Sequence, residues 1–442
     1  MKLSEQQITA KLSEYQIQEL AISTGFQLRK ARKIDCISFV AGFFLMLSTG
    51  RYSLGRWAAK ISRLLGRTVS KQAVLKKLQF RHEAFAEGLL AQVLRQDLQR
   101  QSEKALDSGL FKSFRQVYVE DSTCVPLPDS LAEFFPGSHS KNGKCATARI
   151  QLRLNLLSEQ YSKMELQSYR DNDQKYAGDI LSILQPGDLA IRDMGYWALP
   201  ILKKIAQLKA FFLSRYRYGA NLYNLENGEL IDLAKELKAC RKKGLDVWDQ
   251  WVTVGKEAQL PARVVAILAP QQVAQSRKRK AAKDRHQRAN HSKEYMELLS
   301  WTIFVTNVDE QTWTAQQVLQ AYGFRWRIEI VFKCWKSKLG FAQMFSGKKQ
   351  PGPAQALIAF HLFLAWLCLF FVRYYSFFLH AVFQSCQRMV SLMKFADFFK
   401  EHFSELVLSP DPSEFLGFVA YFCTHEKRKA RPSQLDLLYM RI

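Results

Sequence analysis

Three carboxylates stand where hard-metal chemistry could be built: Asp121, Asp193 and Glu329. Asp121 closes a short apolar, β-branched run from Val117 and opens D-S-T. Asp193 closes a second run, D-L-A-I-R, and opens D-M-G-Y. Glu329 lies in Y-G-F-R-W-R-I-E-I-V-F-K-C-W-K, from Tyr322 to Lys336. Carboxylate oxygens suit Mg2+ or Mn2+, ions that keep waters and take substrate phosphates as further ligands. Two ions about 4 Å apart would activate a water or a 3′-hydroxyl and stabilise the leaving oxygen of an in-line displacement at phosphorus. Three like charges repel, so the set makes sense mainly with the cations present. Glu120 alternates with Asp121 across its strand, so only one of them can face such a site. Asp188 begins its strand rather than ending it.

The Glu329 stretch has two faces if it is one helix at about 100° per residue. Phe324, Ile328, Val331, Phe332, Trp335 and Leu339 form an apolar stripe. Tyr322, Arg325, Trp326, Glu329, Lys333 and Lys336 fall opposite, one carboxylate among cations and aromatics. That pattern would present an acidic ligand inside a phosphate-binding surface. An ordinary amphipathic helix of a basic protein would also collect Lys and Arg there.

The elements that must position these residues follow an α/β order. Val117–Asp121 is the first strand, R-I-Q-L-R-L-N-L-L an alternating second, and Lys163–Tyr169 a hairpin-linked third. A loop of Gly, Ser and Lys spans Gly137–Lys144. A helix is expected around Asp173–Leu184, and Pro186-Gly187 leads into the fourth strand. If strands one and four are neighbours, Asp121 and Asp193 sit side by side at the sheet edge. Trp301–Val308 is a further strand, and a helix over Thr314–Gln320 leads into the Glu329 stretch.

The rest of the chain supplies the surroundings. With 64 Lys and Arg against 40 Asp and Glu over 442 residues, the net charge is +24. Such an excess favours a polyanion, most simply nucleic acid. The eight cysteines are scattered without a C-x-x-C pair, as expected for reduced thiols in a cytosolic protein. No apolar leader is evident in M-K-L-S-E-Q-Q.

The N-terminal region reads as all-helical. Leu54, Trp57, Ala58, Ile61 and Leu65 form one stripe ending at Gly66, and Ser70 caps a second helix with Ala73, Val74 and Leu78 inward and Lys71, Gln72, Lys76 and Lys77 outward. The pair suggests a DNA-reading helix-turn-helix, although many helical hairpins look the same. Residues 199–299 carry aromatic strand-like pieces and little helical periodicity outside Leu230–Cys240. They end in a basic run from Arg277 through Lys278, Arg279 and Lys280 to Lys293, either a solvated face or a phosphate-tracking segment. Ala356–Val372 is a 17-residue apolar run broken only by His361, at the short limit for a membrane span. A buried helix fits it better. A basic tail, Lys427–Arg431, follows an apolar helical C-terminal part.

Tyr322, Arg325, Glu329 and Lys336 reproduce the Y-(2)-R-(3)-E-(6)-K signature at every interval, with D-S-T and D-M-G-Y before it in order. The chain therefore resembles the DDE transposases of that bacterial insertion-sequence branch. The likeness extends through T-G-F-Q-L-R-K-A-R-K-I-D and the long insertion before the Glu. It implies an RNase H-like α/β core (113–198 and 300–350) interrupted by a β-rich insertion (199–299). An all-helical DNA-binding domain (1–112) would precede the core and a helical region (351–442) would follow it.

The resemblance further implies Asp121, Asp193 and Glu329 as ligands of two Mg2+ ions, with Mn2+ substituting. Tyr322, Arg325 and Lys336 would hold the terminal phosphates around the cleavage site, and Lys333, on the same polar face, is a further candidate DNA contact. The activity implied is cut-and-paste transposition: nicking at terminal inverted repeats, a hairpin intermediate, and transfer of 3′-hydroxyl ends into target DNA. A homodimeric synaptic complex and a bacterial cytoplasmic, nucleoid-associated setting go with it. Trp301 falls where relatives stack a flipped base, which would offset the few kcal/mol that unstacking costs; the other reading is a core Trp at a strand start. Met194 departs from the basic or polar residue common there. An inactive sequence-specific DNA-binding protein and an RNase H-like structure-specific nuclease are the alternatives.

Overall fold

The computed structural model describes residues 12, 16–29, 33–47, 52–100, 109–137, 145–171, 173–283, 292–341, 344–345, 351–409 and 411–426. Most of the loop expected over 137–144, the second half of the basic run and the basic tail lie outside them.

The helices described before the first strand include α1 (Ile17–Ser23), α2 (Cys36–Leu47), α3 (Leu54–Leu65), α4 (Lys71–Leu75) and α5 (Glu83–Arg100). Ser53 and Ser70 side chains accept backbone N–H bonds at the starts of α3 and α4, and Gly66 ends α3 at φ 65°, a conformation glycine adopts without strain. Trp57, Ala58 and Ile61 are buried as the stripe requires. At Gly42 a Cβ would lie 2.6 Å from Ile61, so glycine permits the close approach of α2 and α3. The second helix of the pair is only five residues long. Just past its end Lys77 turns inward rather than outward, its ammonium bonding the Phe26 carbonyl at 3.0 Å while its own carbonyl meets His82 Nδ1 at 2.8 Å.

The strands and helices that follow are β1 (Val117–Leu127), β2 (Ala146–Asn155), β3 (Gln160–Ser168), β4 (Leu189–Arg192), α6 (Leu199–Gln207), β5 (Phe211–Arg215), β6 (Leu222–Asn224), α7 (Leu233–Lys242), β7 (Val247–Val254), β8 (Leu260–Leu268), α8 (Gln271–Lys283), α9 (Lys293–Leu298) and β9 (Trp301–Thr306). Next come α10 (Ala315–Gly323), α11 (Trp326–Ser337), α12 (Pro353–Trp366), a π-helical turn (Leu367–Val372), α13 (Arg373–Cys386), α14 (Leu392–Leu408) and α15 (Leu416–Phe422).

Two compact units divide this mixed α/β chain. The first takes the described residues up to 100, then 122–171, then those from 327 onward. In it β2 and β3 form an antiparallel hairpin with a bulge at Arg153/Leu154. Helices from the N- and C-terminal regions pack together through aromatic side chains such as Phe44 on Phe370. The span Pro353–Cys386 is long and apolar enough to cross a membrane, but 94% of its most apolar window is buried inside the protein.

The second unit holds residues 109–121 and 173–326 of those described. Its strands run in the order β1-β4-β5-β9-β8-β7-β6. The β1–β4 and β4–β5 pairs are parallel, and those from β5 to β6 are antiparallel. All four residues of β4 are buried, as a central parallel strand requires. Phe211–Arg215 therefore pairs directly with β4, although the sequence groups it with the insertion. The helix expected over Asp173–Leu184 is instead two 3-10 turns, Asp173–Tyr176 and Asp179–Ser182. The Ala177 carbonyl between them is taken by the Arg192 side chain at 2.8 Å.

The Tyr322–Lys336 stretch is two helices rather than one. α10 begins in a capping box of Thr314 and Gln317 and ends at Gly323, and α11 starts at Trp326. Tight i−3 bonds from the Phe324 and Arg325 amides close the break. Phe324 packs there on Phe111 at 5.4 Å.

Candidate active site

Glu120 stands opposite Arg192 as the last pair of the parallel β1–β4 register, so Asp121 and Asp193 follow at the same level. Asp193 lies just past the end of β4, whereas the strand end expected at Asp121 is not found, because β1 runs on through it to Leu127. Strand alternation turns Glu120 into the interior, where it pairs with Arg192, and leaves Asp121 on the other face. Two residues of the signature meet the carboxylates. Arg325 Nη1 donates to Asp121 Oδ2 at 3.1 Å, and its Nε lies 3.9 Å from Asp193 Oδ1. The Tyr322 hydroxyl donates to the same Asp193 oxygen at 3.0 Å. Both side chains come from the α10–α11 junction, Tyr322 from the last turn of α10 and Arg325 from the two residues between the helices.

The electrostatics agree with this geometry. Burial and then the Asp193 charge push the Tyr322 phenol above its ordinary range, so it remains a neutral donor. Arg215, at the end of β5, completes the group. Its guanidinium lies 5.5 Å from the Phe304 ring centre, and burial lowers its pKa while Tyr322 and Asp193 raise it. Sequence reasoning missed Arg215 because β5 looked like part of the insertion; an Arg closing a strand was the available signal. Trp326, half exposed, stands 5.8 Å from the Arg325 guanidinium.

Glu329, Lys333 and Lys336 belong to the first unit. On α11 the residues Ile328, Val331, Phe332 and Trp335 are buried, Lys333 and Lys336 are exposed and Glu329 is intermediate. The Arg327 side chain anchors the helix, bonding Glu159 at 2.8 Å and the Tyr375 hydroxyl at 3.2 Å. Among the described residues no three His, Cys, Asp or Glu side chains are gathered as a metal-ligand set. Within the second unit, the paired carboxylates of Asp121 and Asp193 are a hard-oxygen donor pair, and the Arg325 cation already bridges them. That donor chemistry fits a divalent ion.

The remaining expected contacts are spread over both units. Trp301 is 1% exposed and packs in the second unit's core with Trp248, Val264 and Phe212, which accounts for it as a core Trp at a strand start. Arg277 is held to β9, donating to the Trp301 carbonyl at 3.0 Å and the Thr302 hydroxyl at 3.1 Å. On the same helix, α8, Arg279 and Lys280 are exposed and Lys278 is partly so. Lys71 and Lys76 are exposed in the first unit, where Lys76 lines a cavity of about 780 Å³ with Arg29, Lys33, Lys77 and Arg81.

Carboxylates side by side where the parallel β1–β4 pairing ends, met by a tyrosine and an arginine from one signature, are an arrangement suited to phosphoryl transfer. Residues 112–364 match the transposase DDE domain, over half of the chain, and the chain belongs to that family. Its activity is that of an insertion-sequence transposase, and the family uses divalent metal. A transposase for insertion sequence element IS231B of Bacillus thuringiensis subsp. berliner is 28% identical, over 76% of this chain and 73% of the relative. A putative transposase InsL for element IS186A of Escherichia coli (strain K12) is 25% identical, over 68% of this chain and 75% of the relative. Among solved structures, a chain of the piggyBac transposase synaptic complex with hairpin DNA aligns with a TM-score of 0.42 at 10% identity, over 96% of this chain and 84% of that chain.

Proposed function

We propose that Asp121, Asp193 and Glu329 hold two Mg2+ ions, with Mn2+ able to replace them, and that the protein cuts and pastes its element through this site. The observation that carries the reading is the side-by-side placement of Asp121, within β1, and Asp193, just past β4, bridged by Arg325. The parallel β1–β4–β5 run, with the antiparallel β2–β3 hairpin between β1 and β4 in sequence, supports an RNase H-like core. Bound at these carboxylates, the ions supply an activated water or 3′-hydroxyl and neutralise the departing oxygen at phosphorus.

The chain's own residues do the rest. Arg325 and Arg215 supply fixed positive charge where the scissile phosphate approaches the carboxylates. Tyr322 keeps its proton and orients Asp193. Lys333 and Lys336, exposed on α11, bind flanking phosphates. Lys278, Arg279 and Lys280 on α8 track the DNA backbone, and Lys71 and Lys76 hold the terminal inverted repeat, Lys76 at the rim of the basic cavity. Two ends must be brought together, so the working species is a homodimer on DNA. Closure of a hairpin at the cleaved end, followed by reopening and strand transfer into target DNA, completes the sequence of steps. The setting is the bacterial cytoplasm, at the nucleoid.

Incubating the full-length protein with its own end DNA and Mg2+ tests the reading. Nicking at the element boundary, lost in Asp193→Ala, is expected; absent nicking, or nicking unchanged in that variant, would overturn it.

A further inference from the structure

Behind the two carboxylates lies an ion pair that phosphate chemistry does not use. Glu120 and Arg192 are register partners, each one residue before a carboxylate. Their side chains meet at 2.8 Å and are 6% and 1% exposed. The other register partners of this strand pair are apolar: Val117 with Leu189, Tyr118 with Ala190, and Val119 with Ile191. Burying two charges is costlier than burying an apolar pair of equal volume, so cohesion alone does not account for an ion pair here. A directional charge pair does something that an apolar contact does not, because it specifies one strand offset and penalises slippage.

Arg192 also reaches past Glu120. The same Nη2 donates to the Ala177 carbonyl at 2.8 Å, and the guanidinium lies 5.0 Å from the Tyr196 ring centre. Tyr196 closes the turn that Asp193 opens, its amide bonding the Asp193 carbonyl at 3.1 Å. The Asp173 carboxylate packs against the middle of that turn, where a Cβ on Gly195 would come within 3.0 Å of it. One side chain thus ties together the strand bearing Asp121, the turn bearing Asp193 and the turn that buttresses it.

We infer that Arg192, through Glu120, is a positioning residue that holds Asp121 and Asp193 at the separation a divalent ion requires. The inference rests on the proposed metal-holding role of that pair.

The test uses full-length Arg192→Met, Glu120→Gln, the double variant and Asp121→Asn, each followed by thermal melting and by Mn2+ affinity from electron paramagnetic resonance. Arg192→Met is expected to melt lower, because Glu120 is left buried without its cation, and to bind Mn2+ about 10–100-fold more weakly, the usual effect of losing a residue behind a metal ligand. The double variant removes both charges, so its melting temperature recovers while its Mn2+ affinity stays low. Recovery of both would mean that the pair serves stability alone and would overturn the inference. So would wild-type Mn2+ affinity in Arg192→Met when Asp121→Asn has lost it. Equal binding by the parent and Asp121→Asn would overturn the metal site, and the positioning role with it.

Discussion

Arg325 Nη1 sits 3.1 Å from Asp121 Oδ2, although the two residues are 204 positions apart in the chain. The same guanidinium reaches toward Asp193 at 3.9 Å, so one planar cation serves both carboxylates. Lysine would keep the charge but not the fork. Arg325→Ala is expected to slow single-turnover cleavage of end DNA by about 100-fold or more, the scale of losing one preorganised charge-stabilising donor. Arg325→Lys should fall between the two. Cleavage by Arg325→Ala within a few-fold of wild type would remove Arg325 from the machinery.

Trp301 offers a direct choice between packing and base stacking. As a 1%-exposed core side chain, it should cost about 3–5 kcal/mol of unfolding free energy when cut to alanine. Denaturant melts of Trp301→Ala read this directly. An unchanged midpoint would mean that the ring is not a packing element, and a selective slowing of hairpin closure over first nicking would then return it to the DNA.

His361 makes stability sensitive to acid. Burial lowers its imidazole from the ordinary 6.5 to about 4, so the folded protein keeps it neutral while the unfolded chain takes up a proton. Stability therefore falls as pH drops below about 6.5 and levels off near 4, a loss of up to about 3 kcal/mol. His361→Leu should flatten that limb in melts taken between pH 7 and 4. A limb of unchanged slope would assign the acid loss to other groups.

The basic cavity of the first unit predicts a salt signature. Taking one lysine away from a phosphate should lower the slope of log K against log salt by about 0.9. Lys76→Ala and Lys33→Ala are each expected to show this in anisotropy titrations with an end-sequence duplex. Equal weakening on random-sequence duplex would identify backbone recognition, and no change in slope would exclude these lysines from the DNA surface.

Much of the local structure was legible in the chain itself. Gly66 and Ser70 mark helix ends because φ and capping chemistry are decided within a few residues. The apolar stripe Ile328, Val331, Phe332 and Trp335 marks the buried face of α11 by periodicity alone. Asp193 could be placed at a strand end, and the signature intervals singled out Tyr322, Arg325, Glu329 and Lys336, because residue type and spacing are written linearly; the end expected at Asp121 is misplaced, since β1 runs on to Leu127.

Tertiary structure decided what depended on distant partners. Burial of Phe324 against Phe111 accompanies the split of the signature into α10 and α11, and neither residue's neighbours in sequence could reveal it. Parallel pairing with β4 drew Phe211–Arg215 out of the insertion and brought Arg215 within electrostatic reach of Asp193. Capture of the Ala177 carbonyl by Arg192 accompanies the replacement of an expected helix by two short turns. Caps and periodicity act over one or two turns of chain, so sequence determines them. Ion pairs and strand order join residues that only the folded chain brings within reach, which is why Asp193 could be placed at a strand end from sequence while the course of β1 past Asp121 and the bridging role of Arg325 could not be seen until the strands were paired.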